Sequence, residues 1–227
     1  MSKAPRLMFV PSTSNSERYL LNRRGYGSHQ AMLDLVGSNA KILDVGAGTG
    51  NLAEQLRDVH NGQVIGVELD DEAAEVMESR GFKVVRGDIT VPATLDTVTE
   101  LGPFDHVICG DVLEHILDPQ RMLMDLRPML RPGGTIIVSL PNVVSVRARL
   151  TILLGRWNYA DTGIFDRTHL RFFTPTTAKQ LLVDSGFRVT DAIPVGPLTA
   201  RLGRRGVLLS RLSPGLFATQ IVIRAVA

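Results

Sequence analysis

The chain has 227 residues, which suits one domain with an insertion at about 150 residues per domain. Hydrophobic residues make up 44% and charged residues 21%, a balance that excludes intrinsic disorder and allows a buried core. One cysteine, Cys109, excludes an intramolecular disulfide and a cysteine-based zinc finger, and a formal net charge of +2 singles out no partner.

No run approaches the roughly 18 apolar residues of a membrane span. Met1 to Ser14 lacks the apolar stretch of a secretory signal, so the cytosol is the expected compartment. Charge is unevenly placed. Residues 1–29 carry a net +4, residues 143–173 a net +3 and residues 196–214 a net +4, which leaves −9 for the rest. Such a basic set on an acidic body implies an anionic partner wherever the three segments meet, and otherwise serves solubility.

From Lys41 onward, short apolar runs alternate with helical patterns, the mark of a parallel sheet covered by helices. The strands expected are Lys41–Val45, Val64–Val67, Lys83–Arg86, His106–Cys109, Thr135–Ser139, Arg188–Ile193 and Thr219–Ala225. Between them the pattern predicts helices over Asn51–Val59, Asp70–Ser79, Gln120–Leu130 and Pro175–Ser185. The last has Thr174 as its N-cap, Pro175 at its first position and Gly186 just past its end. The fold class is α/β, doubly wound.

The run from Ile42 to Gly50 is a strand entering a glycine turn that opens a helix. Glycines there let backbone approach a ligand and leave helix N–H groups to bind it. A dinucleotide fingerprint would need glycine at 51, where this chain has Asn51, so a nicotinamide dehydrogenase is disfavoured. Eighteen residues after Gly50 the second strand ends at Glu68, a carboxylate suited to both hydroxyls of a ribose. The third strand leads into Gly87-Asp88-Ile89, where a short acid can accept from an adenine amino group.

With LDVGAGTGN, VIGVELD, VRGDI, FDHVICGDVLEHILDP and LRPGGTIIVSLPN in order, the chain resembles the class I S-adenosylmethionine-dependent methyltransferases from about Ser28 to Gly186. The resemblance implies a seven-stranded, Rossmann-like sheet in the order 3-2-1-4-5-7-6 with an antiparallel seventh strand. It implies that Asp44, Gly46, Ala47, Gly48 and Gly50 hold the amino-acid end of the cofactor. Glu68 with Leu69 would take the ribose and Asp88 with Ile89 the adenine, while Asp111 and Val112 would line the pocket near the sulfonium. His29 stands where the family often places a polar contact to the cofactor carboxylate, with capping or packing as its other reading. S-adenosylhomocysteine would be the product.

Cys109-Gly110-Asp111-Val112 stands where amino-methylases of bases carry an Asn/Asp-Pro-Pro-aromatic box, so that class is disfavoured. Cys109 lies within an apolar strand and reads as a small buried hydrophobe rather than a nucleophile. The stretch from Gly163 to Thr174 resembles stand-alone, MetW-like bacterial methyltransferases of sugars, glycans and small natural products. It follows an insertion, Val143–Tyr159, so that residues 143–173 would overhang the strand ends as a lid, with residues 1–29 as an N-terminal arm on one methyltransferase domain.

The acceptor expected is a small anionic molecule, methylated on oxygen rather than nitrogen. A hydroxyl acceptor needs a base, and His115 and His169 are the candidates. Asp166 would orient His169 or merely pair with it, and Arg167 and Arg171 would clamp an acidic acceptor. Asp111, Glu114 and His115 also resemble a magnesium-binding pattern, a rival reading beside a metal-free site. Leucine and arginine mix in Val143–Leu154 and Leu198–Leu212, as in an interfacial helix, so the runner-up is a methyltransferase of a polyprenyl quinone or other membrane lipid. No stacking aromatics punctuate the arginines, so nucleic acid is not expected as a partner. A cofactor-binding protein without turnover is the non-catalytic alternative. Oligomeric state is not legible.

Overall fold

The computed structural model describes residues 27–202 and 204–227. Strand β1 (Lys41–Val45) holds Ile42, Leu43 and Val45, each buried, so it needs covering on both faces. It lies between two parallel neighbours, β2 (Gln63–Glu68) and β4 (Phe104–Gly110), with β3 (Lys83–Arg86) outside β2 and β5 (Leu130–Pro141) outside β4. β7 (Gln220–Val226) runs antiparallel between β5 and β6 (Arg188–Val195), which gives the order 3-2-1-4-5-7-6, as expected. Side-chain alternation divides the core. Leu43, Val107 and Ile136 join Phe104 and Leu123 on one face, and their neighbours Ile42, Ile108 and Ile137 join Leu56 and Met32 on the other.

The helices are α1 (Ser28–Leu33), α2 (Asn51–His60), α3 (Asp71–Ser79), α4 (Pro92–Glu100), α5 (Pro119–Leu126), α6 (Val146–Leu153), α7 (Pro175–Asp184), α8 (Pro197–Leu202), α9 (Arg204–Leu212) and α10 (Pro214–Phe217). Local chemistry starts them: Asp70 caps α3 by accepting from the Ala73 N–H at 3.0 Å, and Thr174 and Thr177 form a reciprocal capping box on α7. The helix expected over Gln120–Leu130 ends at Leu126 and tightens into a 3-10 turn over Arg127–Met129, because Pro128 cannot donate to an α-helical ladder. α1 and α4 were not foreseen. α4 buries only Thr94 and Val98, too sparse a pattern to show in the sequence.

The segment from 143 to 173 leaves the end of β5 and returns to it. Val143 N–H donates to Phe173 O at 2.9 Å, and Asn142 forms a parallel bridge with Phe173. Asn142 is fully buried, and its Nδ2 donates to Ala218 O at 2.7 Å, with the Pro214 and Gly215 carbonyls at 3.3 Å. That knot sets α10 beside α6, where a Cβ on Gly215 would stand 3.8 Å from Arg149 Nη2. Two of the three basic segments therefore meet. The third, residues 1–29, falls almost wholly outside the described residues. Among the described residues, no helix is long and apolar enough to cross a membrane.

Candidate active site

The glycine turn leaves β1 at Gly46, whose N–H donates to Val67 O at 2.9 Å. Gly46 has φ +68°, and a Cβ there would lie 2.6 Å from Val112 Cγ2, so both backbone conformation and packing require glycine. Val112 thus presses on the loop. Gly48, at φ +53°, has no atom within 4 Å of where its Cβ would stand, so this side of the loop is open to a ligand. Its N–H donates to Glu68 Oε2 at 2.6 Å, while Leu69 and Asp70 N–H groups reach Glu68 Oε1 at 2.9 Å. The acid expected to take a ribose is thereby fixed against the glycine loop.

Asp44 is 3% exposed, and its Oδ2 has no hydrogen-bond partner among the described residues. Burial first, and the charge of Glu68 second, push its carboxyl up to about 7. It borders a cavity with His29, Gly46, Ala47 and Asp111, and also with Met32, Asn51, Leu52 and Gly110. Burial holds His29 below the usual histidine range. Glu68, the last residue of β2, Leu69 just after it, and Asp88 and Ile89 past the end of β3 do not line that cavity, nor do Gly48, Gly50 and Val112. Gly50 caps α2 at φ +81°, and Asp88 Oδ1 closes a turn on Thr90 N–H at 2.8 Å. Ile89 is buried, whereas Leu69 is exposed.

Asp111 follows β4 in the left-handed region, φ +56°. Its Oδ1 accepts from Ser139 Oγ at 3.0 Å and from Gln220 Nε2 at 2.6 Å. A 3-10 turn over Leu113–His115 then turns Glu114 inward and leaves His115 only partly buried. Glu114 is 1% exposed and its Oε2 lacks a partner among the described residues, while its backbone carbonyl accepts the Leu170 and Arg171 N–H groups at 2.8 and 3.0 Å. Those bonds pin the insertion's return arm over the turn. Burial, with the charges of Asp111 and Asp166, raises the Glu114 carboxyl well above its usual range.

The two candidate histidines stand together, ring centres 4.9 Å apart and edge to face. His115 Nδ1 lies 3.2 Å from the Thr168 carbonyl, which can only accept, so that nitrogen carries the hydrogen and Nε2 the lone pair. Thr168 Oγ1 stands 3.1 Å from the same Nδ1 and donates to Asp166 Oδ1 at 2.7 Å. The Asp166 carboxylate is thus directed to Thr168 and, through it, to His115. Glu114 faces His169, with Oε1 4.0 Å from Nε2, and the charge of Asp166 also acts on this ring. Burial first and neighbouring His115 second hold His169 below the usual histidine range, against the charge of Asp166.

The arginines are placed differently from the clamp expected. Arg171 Nε donates to Leu117 O at 3.0 Å, and Arg167 pairs with Asp161 at 2.8 Å on the surface. The metal-ligand set also differs, since the donor atoms that gather within 4.8 Å are those of Glu114, His115 and His169, with Asp111 turned to Ser139 and Gln220. Glu114 beside His169 was missed because the contact spans the insertion. The only signal was an acid inside the apolar stretch Val112-Leu113-Glu114.

The profile of the Methyltransferase domain family matches residues 21–192, about three quarters of the chain. The chain belongs to this family. This methyltransferase is 29% identical over 188 residues to the Psychrobacter arcticus "Ubiquinone biosynthesis O-methyltransferase", covering 78% of this chain and 72% of that one. To the protein of the same description from Xanthomonas oryzae pv. oryzae it is 36% identical over 114 residues, 49% of this chain and less than half, 46%, of that one. A Thermotoga maritima structure described as a SAM-dependent methyltransferase, possible histamine N-methyltransferase, shares the fold at TM-score 0.67 and 22% identity, covering 92% and 93% of the two chains. The enzyme is a class I S-adenosylmethionine-dependent methyltransferase, and that molecule supplies the methyl group as a sulfonium. The residues suit it: the unpartnered Asp44 oxygen complements a cationic amino-acid end, and the open side of Gly48 leaves room for it.

Proposed function

We propose that this methyltransferase O-methylates a small, hydroxylated, anionic acceptor, with His115 and His169 as the base centre. One observation carries the reading: two adjacent imidazoles, His115 past the end of β4 and His169 on the insertion's return arm, each backed by a carboxylate, Asp166 through Thr168 for His115 and Glu114 for His169. A carboxylate acceptor needs no such base, whereas an alcohol or phenol must lose a proton as the methyl group arrives. His115 Nε2 would take that proton, and Glu114 would stabilise the positive charge the ring pair then shares. The glycine loop and Asp44 would hold the methyl donor in line, and positioning supplies most of the remaining acceleration. The exposed arginines of residues 143–173 give the rim a positive field suited to a carboxylate or phosphate on the acceptor. The O-methyltransferase description of the Psychrobacter relative supports oxygen as the atom methylated.

The test uses methyl-labelled S-adenosylmethionine with an extract split into small-molecule, lipid, glycan and nucleic-acid fractions. Base-stable label on an ether oxygen in the small-molecule or glycan fraction supports this reading. Base-labile label, the mark of a methyl ester on a carboxylate, would overturn it, and so would label on nitrogen. A second reading rests on the convergence of Glu114, His115 and His169, a nitrogen and oxygen donor set that also suits a divalent cation. Chelation separates the two: turnover that survives it belongs to a base centre, and turnover lost and then restored by a divalent ion belongs to a metal centre.

A further inference from the structure

Beside the cleft, the protein shows a face that water does not favour. α6 buries only Ala148 of its eight residues, and Leu150, Leu153 and Leu154 at its end are 54%, 81% and 66% exposed. α9, which joins it through α10, exposes Leu208 and Leu212 to 68% and 81%. Scattered single leucines on a surface are ordinary, but adjoining helices with their largest aliphatic side chains outward form a patch. The same segments are rich in one charge. Residues 143–160 and 196–217 together contain seven arginines and no aspartate, glutamate or lysine.

We propose that this face docks the enzyme on an anionic lipid surface. Aliphatic and aromatic side chains among guanidinium groups are what an interfacial helix presents to headgroups and upper acyl chains. A second copy of this chain would set arginine against arginine, which opposes self-association through the face. Trp157 and Tyr159 extend the patch towards the cleft, as amphipathic rings do at a headgroup boundary. Trp157 packs on Phe172 at 5.4 Å, and Phe172 on His169 at 6.3 Å, so the face adjoins the base centre. Docking holds whatever the acceptor is, and its test involves no turnover.

The experiment is vesicle flotation of the full chain, with phosphatidylcholine alone and with phosphatidylcholine containing phosphatidylglycerol. Trp157 is the only tryptophan, so its emission reports this face alone. The expected result is flotation with the anionic vesicles only, reversed by high salt, with a blue shift of Trp157 emission. Leu153→Glu with Leu212→Glu should lower the bound fraction by about tenfold while S-adenosylhomocysteine affinity, which reports folding, stays as in the wild type. A wild type that stays unbound with both vesicle types overturns the proposal. So does flotation undiminished in the double variant, or retention on heparin without flotation, which would assign the face to a soluble polyanion.

Discussion

Among the described residues two buried carboxylate oxygens lack partners, Asp44 Oδ2 beside the glycine loop, the side proposed for the cofactor, and Glu114 Oε2 beside the histidine pair, the side proposed for the acceptor. Their surroundings are built in opposite ways. Asp44 sits in β1 just before the glycine turn, which is tied to the end of β2 by the Gly46 and Ala47 N–H groups on Val67 O and the Gly48 N–H on Glu68. Glu114 and His115 owe their setting to residues 53 or more positions away, through the Thr168 contact with His115 and the bonds of Leu170 and Arg171 to the Glu114 carbonyl. The glycine-loop side is therefore fixed by backbone of the adjoining strands β1 and β2. The acceptor side exists only when the insertion is in place, so substitutions there should strike turnover and spare cofactor affinity.

The largest separation is expected from Glu114→Gln, which keeps shape but removes the charge behind His169. Turnover should fall by about 10²–10⁴-fold, read by label transfer, with S-adenosylhomocysteine affinity unchanged by calorimetry. Because the base must be unprotonated, wild-type turnover should rise with pH as the histidine pair loses its proton, and the variant, without a carboxylate to stabilise the charged ring, should have that limb moved to lower pH.

Asp44→Asn probes the other side. A carboxyl held at about 7 when folded, against 3.8 ordinarily, favours folding below the lower value and loses that contribution as pH rises through the higher one. The cofactor-free variant should thus exceed the wild type in stability at pH 8 by on the order of 2–4 kcal/mol, with no difference near pH 3, measured by denaturant unfolding. It should also bind S-adenosylmethionine more weakly. Glu68→Ala should cost about 1–3 kcal/mol of cofactor affinity, and unchanged binding would reject its ribose role. The smallest effect belongs to Thr168→Val, which severs the link from Asp166 to His115. Turnover should drop about tenfold and stability by about 1 kcal/mol, with Thr168→Ser restoring both.

The same contrast explains what the sequence revealed. The strands and the glycine turn were legible because each depends on a short run whose periodicity or spacing is local, while the strand order came from the family resemblance. β4 and β5 reach further than their apolar centres suggested, since Phe104 and Leu130 pair beyond an irregular step in the ladder. α1 was invisible as an element although His29 was singled out, because its six residues offer less than two turns of pattern. The partners of His115, His169 and Arg171 could not be read at all. Asp166 was expected beside His169 and its charge does act on that ring, but its bonds to the Thr168 hydroxyl and N–H, made within a single turn, were not foreseen. Arg171 was expected to face an acceptor and instead holds the Leu117 carbonyl, a contact that only the closed insertion creates.

The most direct measurement compares Asp44→Asn and Glu114→Gln side by side, with calorimetry of S-adenosylmethionine binding and the rate of label transfer at saturating cofactor. The expected result is a crossed pattern, with affinity lost in the first variant alone and most of the rate lost in the second alone. Equal losses of affinity in both variants would show that the two sides of the cleft are one coupled structure and would contradict their separate construction.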